Sequence, residues 1–312
     1  MSKTPVHLSG YQARDLEVID YHMTELDDSG LMFRGPIPEL KKDGYFTSIG
    51  AAQTLGCFCE KPYPTLLQDA IGLPALNLGY GGAGPEFFNS QQPLIDAING
   101  GKFLILQAMS GRSQSNSVFD TGGLEYVTVR STGDQVAAAH AWQELLLGNQ
   151  TIRSIGIGKV GPAVARRLAA PKLRAVVEET RANWVNTTRE LLSKVNVPVI
   201  FLWFSKRTPE YPDDHTTRGK LFGEFPHMIT RSMVDDVKAN CAAYVECVSD
   251  RGSPQPLFSR HTGEPCTVDP SNDRADLKRG EPWTHNTYYP SPEMNEDAYT
   301  LLEPVVREIL GS

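Results

Sequence analysis

Five short runs of apolar residues divide the chain and predict the strands of a sheet. They are rich in Ile, Leu, Val and Phe and occupy residues 45–49, 73–78, 103–109, 197–204 and 243–248. Runs of this length that are apolar throughout are typical of parallel strands buried on both faces. The pattern therefore predicts about five parallel strands.

The segments between these runs carry the three- and four-residue spacing of amphipathic helices. The spacing is clearest over residues 173–195, where Leu173, Val177, Trp184 and Leu191 share one face. Further helices are predicted over residues 64–71, 85–98, 135–147, 229–240 and 292–310. Strands that alternate with helices predict an α/β fold with a doubly wound sheet, in which all strands end at one edge.

Two segments lie outside this alternation. Residues 1–43 are mostly polar, and we expect them to form an N-terminal arm packed on a single domain of residues 44–312. Residues 249–290 form a long polar stretch rich in Pro and Gly, which predicts a lid or binding loop, with a disordered segment as the alternative.

Composition narrows the functional classes. The 312 residues carry a formal net charge of -7, and no basic block is present to neutralise nucleic-acid phosphates. No apolar run reaches the roughly 18 residues of a membrane span, and the N-terminus lacks the apolar core of a signal peptide. The five cysteines are sparse, as in a reducing compartment. We therefore expect a cytoplasmic protein that binds a small molecule and neither nucleic acid nor membrane; the oligomeric state stays open.

Polar residues follow the predicted strands where their carboxyl ends converge. Arg112 can bind a carboxylate, sulfate or phosphate through two parallel hydrogen bonds, and Ser113 and Asn116 add neutral donors. Lys206 and Arg207 follow the fourth strand and are expected at the same edge. These residues predict a site for an anionic or sugar-like molecule. The alternatives are a capped helix start at residues 110–117 and a solvated basic pair at residues 206–207.

Two other motifs imitate cofactor sites. Gly156–Gly161 spells GxGxxG, but no good strand precedes it and the candidate acid, Glu178, falls inside a helical pattern. Cys57 and Cys59 have no second pair of ligands at a suitable spacing, so small buried cysteines are the preferred interpretation. We expect neither a cofactor nor a metal.

The order of motifs resembles that of the SGNH/GDSL hydrolase superfamily. Residues 50–56, GAAQTLG, are similar to its GDSLTxG turn, and residues 77–82, NLGYGG, to its NxGxxG block. Gly111 and Asn116 follow the third strand as its third block does, and residues 286–292 occupy the place of its DxxHP block. The resemblance implies a flavodoxin-like α/β/α sandwich. The GAAQT turn and the SGRSQSNS loop also resemble those of an uncharacterised bacterial family.

The same resemblance implies that the usual catalytic triad is absent. Ala52 stands where the family has its nucleophilic serine, Asn286 where it has the acid and Tyr289 where it has the base. The resemblance also implies that the oxyanion site is retained, formed by the backbone near Ala52, by Gly82 and by Asn116.

These features lead to three functional hypotheses. The first is sulfuryl or acyl transfer without a protein nucleophile, on a substrate bound by Gln53, Gly82 and Arg112. His285, Tyr289 or a nearby Asp or Glu would act as the base, and Thr54 lies in the catalytic turn. The second is an esterase-type hydrolase with a relocated nucleophile, chosen from Thr54, Ser110, Ser113 and Cys57. The third is a binding or accessory protein without catalysis.

Overall fold

The central element of the computed structural model is a five-stranded parallel sheet. The structure describes residues 14–27, 29–148, 161–210, 212, 214–269 and 281–311. The sheet contains β3 (Phe46–Gly50), β4 (Ala75–Gly79), β5 (Leu104–Gln107), β9 (Val199–Ser205) and β10 (Ala243–Val248). Its order is β10-β9-β5-β3-β4 with every pair parallel. This is the flavodoxin-like order 2-1-3-4-5, so the predicted fold is confirmed.

Helices cover both faces of the sheet and make it the middle of three layers. One face packs on α4 (Gln92–Gly100), α6 (Pro162–Lys194) and α8 (Arg231–Lys238), and the other on α2 (Tyr63–Ile71) and α9 (Pro292–Leu310). Short helices are α1 (Ala52–Leu55), α3 (Pro85–Asn89), α5 (Ala138–Leu147) and α7 (Arg218–Phe222). The strands are apolar throughout because each faces a helical layer on both sides.

Three predicted helices differ from those observed. The helix over residues 85–98 is two helices, because α3 ends at Asn89 and α4 begins at Gln92. The helix over residues 173–195 begins earlier, at Pro162, and contains Pro171. Residues Gln135–Ala137 are not helical but form strand β8, and α5 begins only at Ala138.

A second, antiparallel sheet lies beside the main one and was not predicted. It contains β6 (Phe119–Asp120), β7 (Tyr126–Val129) and β8 (Gln135–Ala137) in that order. Its apolar side chains join those of α5, α6 and α7 in a separate core around the fully buried Trp142. This core supports the segments that follow β5 and α7.

The described part of the N-terminal segment packs against the loop that follows β3. Its strands β1 (Thr24–Glu25) and β2 (Met32–Phe33) pair antiparallel. Val18, Tyr21 and Met23 pack with Leu55 and Phe58 in a further apolar cluster. The division into an arm and a domain remains an expectation.

Residues 249–269 and 281–290 contain short antiparallel pairings. Strand β11 (Gln255–Pro256) pairs with β12 (His285–Asn286), and isolated bridges join Phe258 to Pro265 and Val268 to Trp283. The described ends of the predicted loop are therefore paired backbone. Among the described helices none is both long and apolar enough to cross a bilayer.

Candidate functional site

The turn after β3 is held in place by close contacts with the neighbouring strand. A Cβ atom on Gly79, at the end of β4, would collide with the backbone nitrogen of Leu55 in α1. The side chain of Asn77 donates to the carbonyl of Thr54 at 2.8 Å and accepts from the amide of Gly79 at 2.9 Å. Helix α1 can therefore lie directly on the end of β4, and it presents Ala52 and Gln53 at the sheet edge.

Thr54 points below this turn. Its hydroxyl lies 3.0 Å from that of Tyr63 and donates to Oε1 of Gln107 at 3.2 Å, and the side chain is fully buried. The same Oε1 accepts from the amide of Ala51 at 3.1 Å. Thr54 thus anchors the turn to β5 and α2, and this placement does not favour the predicted catalytic role.

Two adjacent cavities open at the carboxyl ends of the strands. We call them the Arg112 cavity, of about 250 Å³, and the His227 cavity, of about 230 Å³. They share three lining residues: Gln53, Phe225 and Tyr288. The Arg112 cavity is otherwise lined by Ala51, Ala52, Gly82, Ala83, Ser110, Arg112, Ser113, Glu125, Trp283 and Tyr289. The His227 cavity is otherwise lined by Phe204, Ser205, Lys206, Gly223, Glu224, His227, Thr287, Pro290 and Met294.

A serine and a histidine meet between the two cavities. Oγ of Ser110 lies 3.1 Å from Nδ1 of His227. Ser110 follows β5 and lines the Arg112 cavity, whereas His227 lies in the segment between α7 and α8 and lines the His227 cavity. The backbone holds the pair together, because the amide of Gly111 donates to the carbonyl of His227 at 2.9 Å. A hydroxyl within hydrogen-bond reach of an imidazole is the arrangement of a serine nucleophile and its base.

The surroundings of His227 favour its neutral form. Burial lowers the pKa of the imidazole well below its ordinary value, and the positive charges of Arg112 and Arg207 lower it further. A neutral imidazole has one nitrogen free to accept a proton. The ring also lies parallel to that of Tyr288, with centroids 6.3 Å apart and an interplanar angle of 17°.

Arg112 supplies a positive charge to its cavity. Its nearest carboxylate is Glu125, with Nη2 and Oε1 3.7 Å apart, and its buried Nε has no hydrogen-bond partner in the described structure. The neighbouring Ser113 hydroxyl donates to the carbonyl of Gly82 at 2.7 Å, which ties the loop after β5 to the loop after β4. Three of the predicted binding residues therefore lie together here.

Gln53 is one of the three side chains that line both cavities. It is 3% exposed, and its Oε1 is buried without a hydrogen-bond partner among the described residues. A buried amide ordinarily satisfies its hydrogen-bonding groups. Gln53 is therefore available to a ligand at the boundary of the cavities.

Tyr289, predicted from the sequence as a catalytic residue, lines the Arg112 cavity. Burial raises the pKa of its phenol well above the ordinary value, with a further contribution from Cys57. The guanidinium of Arg14 lies over the rings of Phe58, Trp283 and Tyr289 at 5.3, 4.9 and 5.9 Å. Because its pKa is raised, Tyr289 is a neutral wall residue and a poor base at pH 7.

Three other predicted site residues, His285, Asn116 and Arg207, do not line either cavity. His285 is exposed, and its Nδ1 lies 3.0 Å from the hydroxyl of Thr284. Neighbouring side chains in β12 point to opposite sides, so His285 points to solvent because Asn286 points into the protein. Asn116 uses its side chain to close its own loop, accepting from the amides of Val118 and Phe119 at 2.8 and 2.9 Å.

Arg207 and Lys206 both bind the backbone. Arg207 donates to the carbonyls of Glu224, Thr208 and Ile229 and lies over the ring of Trp203 at 4.9 Å. Its role in the described structure is to hold the segment that carries His227. Lys206 does line the His227 cavity, but its ammonium donates to the hydroxyl of Ser253 and the carbonyl of Thr287, both at 2.7 Å.

The cysteines offer neither a metal site nor a nucleophile. Burial raises the pKa of Cys57 well above its ordinary value and that of Cys59 to about 12, so both remain thiols. No group of His, Cys, Asp and Glu able to hold a metal occurs in the part of the chain that the structure describes. The GxGxxG motif lies outside the described residues apart from Gly161, which precedes α6.

His227 is the functional candidate that the sequence analysis missed. It lies in an irregular segment well beyond the end of β9, where neither a strand end nor a motif marks it. The only sequence signal is its place between aromatic and apolar residues in GEFPHMI. Ser110, by contrast, was already a candidate because it follows a strand.

The fold and the paired cavities define a class: a flavodoxin-like α/β/α protein with a candidate site at the carboxyl edge of its sheet. A family model with the description "Domain of unknown function (DUF6473)" matches residues 10–121 and 164–266, more than half of the chain. The protein belongs to this family. No curated protein matches the sequence.

Solved structures with similar folds include several esterases. A family two carbohydrate esterase from Clostridium thermocellum in complex with cellohexaose is 9% identical, with 90% of this chain and 68% of that chain covered and a TM-score of 0.39. Phospholipase A1 from Streptomyces albidoflavus is 11% identical, with 85% and 99% covered and a TM-score of 0.39. A putative acylhydrolase from Bacteroides fragilis is 11% identical, with 99% and 100% covered and a TM-score of 0.35. At these scores the fold assignment rests on the strand order of this chain.

Proposed function

We propose that this protein is an esterase-type hydrolase in which Ser110 is the nucleophile and His227 its general base. The observation that carries the proposal is the 3.1 Å contact between Oγ of Ser110 and Nδ1 of His227, between two cavities at the strand ends. This contact supports the hypothesis of a relocated nucleophile over that of transfer without one.

The other groups at the site support acyl chemistry. His227 takes the proton of Ser110 as Oγ attacks the carbonyl carbon, and it returns that proton to the leaving oxygen. The first N–H groups of a helix have no partner inside it, and those of α1 belong to Ala52 and Gln53, which line the Arg112 cavity. They are candidate donors to the oxyanion that forms in the transition state.

One observation favours a second candidate, a binding protein without catalysis. The charged groups that lower the pKa of His227 are Arg112 and Arg207, and no carboxylate contacts its ring among the described residues. The imidazolium formed during serine attack would lie among positive charges. Under this second proposal, Ser110 and His227 serve to hold the two loops together. The cytoplasmic location remains part of the proposal in either case.

Covalent labelling distinguishes the two candidates. A fluorophosphonate probe is expected to label Ser110, as read by mass spectrometry of the digested protein, and S110A is expected to remove both labelling and ester hydrolysis. The matched control is S193A, because Ser193 is exposed on α6 and distant from both cavities. If the protein is folded and Ser110 stays unlabelled, the result would favour the binding protein. Labelling of Thr54 or Ser113 would assign the nucleophile to that residue instead.

A further inference from the structure

We propose that the substrate is a monoester of a dicarboxylic acid with an apolar alcohol: its free carboxylate binds Arg112, and its alcohol occupies the His227 cavity. This inference rests on the proposed function, since it uses Ser110 as nucleophile. It specifies which half of the ester is charged.

The positions of Ser110 and His227 assign the two halves of the ester to the two cavities. The acyl group becomes attached to Ser110, which lines the Arg112 cavity. The leaving oxygen must receive a proton from His227, which lines the other cavity. The acyl half therefore lies beside Arg112, and the alcohol half lies beside His227.

The Arg112 cavity contains buried polar groups that lack partners. Nε of Arg112 and Oε1 of Gln53 are both buried and unpaired in the described structure. The guanidinium side chain is 15% exposed, and Glu125 faces it only at 3.7 Å with a side chain that is 49% exposed. A carboxylate on the acyl group would accept a charge-assisted hydrogen bond from Nε, which is stronger than a neutral one. Oε1 of Gln53 is an acceptor and does not pair with this carboxylate; the amide nitrogen of the same side chain, at the boundary, is the group that can donate to the ester carbonyl.

The His227 cavity has a different character. Phe204, Phe225 and Met294 contribute apolar surface to it. Lys206, its positively charged residue, already donates to Ser253 and Thr287. The remaining charge is that of Glu224. An uncharged, apolar alcohol fits this lining, whereas an anionic one would face Glu224 without a free cation.

The reaction is balanced without a further reagent. Oγ of Ser110 forms a bond to the acyl carbon and its proton passes to Nδ1 of His227; the bond between acyl carbon and alcohol oxygen breaks, and the alcohol leaves with that proton. Water then attacks the acyl-serine, again through His227, and releases the dicarboxylate. Ester and water are consumed, and one acid and one alcohol are formed.

Two esters with the same leaving group test the inference. Phenol release from monophenyl glutarate is compared with that from phenyl hexanoate, which lacks the terminal charge. We expect kcat/KM to be about tenfold or more higher for the glutarate, because a charge-assisted hydrogen bond is gained. R112M should abolish this preference, and E125Q should increase it by removing a competing negative charge. R189M, on the exposed side of α6, is the matched control and should leave the preference unchanged.

The outcomes separate this inference from the proposed function. Equal or faster hydrolysis of phenyl hexanoate, with Ser110 still labelled by fluorophosphonate, overturns the dicarboxylate assignment and leaves the hydrolase. A lower kcat/KM in E125Q for both esters would show that Glu125 supports the reaction and does not compete with the ester's carboxylate for Arg112, and it would also overturn the assignment. Calorimetry of glutarate with folded S110A tests recognition without chemistry: we expect binding that R112M removes, and absence of binding contradicts the proposal.

Discussion

His227 couples protonation to folding because it is buried in its neutral form and the charges of Arg112 and Arg207 disfavour its protonation. The ordinary imidazole pKa is about 6.5, and the folded protein lowers it. Between the lowered value and about 6.5, the unfolded chain binds a proton that the folded chain does not. Stability must therefore fall as the pH decreases through this range, with a slope of up to about 1.4 kcal/mol per pH unit.

Denaturation by urea at several pH values measures this slope. We predict that H227Q flattens the decrease below pH 6.5, while H140Q does not, because His140 is exposed on α5. Activity should follow the same sign: the proposed base stays neutral below pH 6.5, so kcat/KM should persist there and be lost only at lower pH. An activity that falls with a midpoint near 6.5 would contradict the burial of the imidazole.

The sequence predicted the location of some site residues and not of others, for a geometrical reason. The order of strands and helices determines which segments arrive at the sheet edge, and Gln53, Gly82, Arg112, Ser113, Lys206 and Tyr289 all line the cavities there. It does not determine where a side chain points. Thr54 turns under the helix, His285 faces outward from a strand and Asn116 closes its own loop.

The contact between α1 and β4 is the element on which the position of Gln53 depends. Gly79 has no Cβ and lets the backbone of Leu55 approach. We predict that G79A lowers the free energy of unfolding by about 1–3 kcal/mol, as overpacking does, and weakens activity by displacing α1. G219A is the matched control, since a Cβ there meets no atom within 4 Å. Urea denaturation of both variants checks the prediction; a neutral G79A would show that α1 can shift freely.

The small sheet of β6, β7 and β8 supports the site from outside the main core. Trp142 is fully buried there, 5.3 Å from Phe119 and 6.4 Å from Phe222 by ring centroids. We predict that W142A costs about 3–5 kcal/mol of stability, because it leaves a large cavity. L168A should change stability by less than about 0.5 kcal/mol, since Leu168 is 44% exposed. Thermal unfolding of the two variants measures the difference.

The main sheet was predictable from the sequence, and the small sheet was not. Buried parallel strands produce long apolar runs, which mark each strand of the main sheet. Strands β6 and β8 have only two and three residues, and Gln135–Ala137 runs directly into α5, so its pattern merges with that of the helix. Strands this short form because of the strands they pair with, and their own sequence carries little signal.

The N-terminal segment is joined to the rest of the molecule through Arg34. Its guanidinium donates to the carbonyls of Leu55, Gly56, Cys59 and Glu60 at 3.0, 3.1, 2.9 and 2.6 Å. Burial lowers its pKa, yet the group contacts no carboxylate among these partners. The charge is therefore solvated by backbone oxygens, and these oxygens belong to the turn that carries Ala52 and Gln53.

We predict that R34M destabilises the whole protein by about 2 kcal/mol or more, because it leaves buried carbonyls without a donor. The stability of R34K should lie between those of R34M and the native protein, because the Lys ammonium cannot bind all the carbonyls that the planar guanidinium binds. K41M is the control, as Lys41 is 72% exposed and forms an exposed ion pair with Glu39. Urea midpoints of the three variants provide the measurement. If R34M matched K41M, the four hydrogen bonds of Arg34 would contribute nothing to the stability of the protein.

The sheet order has an evolutionary consequence. Strands β3 and β5 are immediate neighbours, so the residues after them, Ala52 and Ser110, line one common cavity. A hydroxyl placed after either strand would therefore face the same cavity, so loop substitutions alone can move a reactive group from one strand end to the adjacent one while every strand and both helical layers stay unchanged.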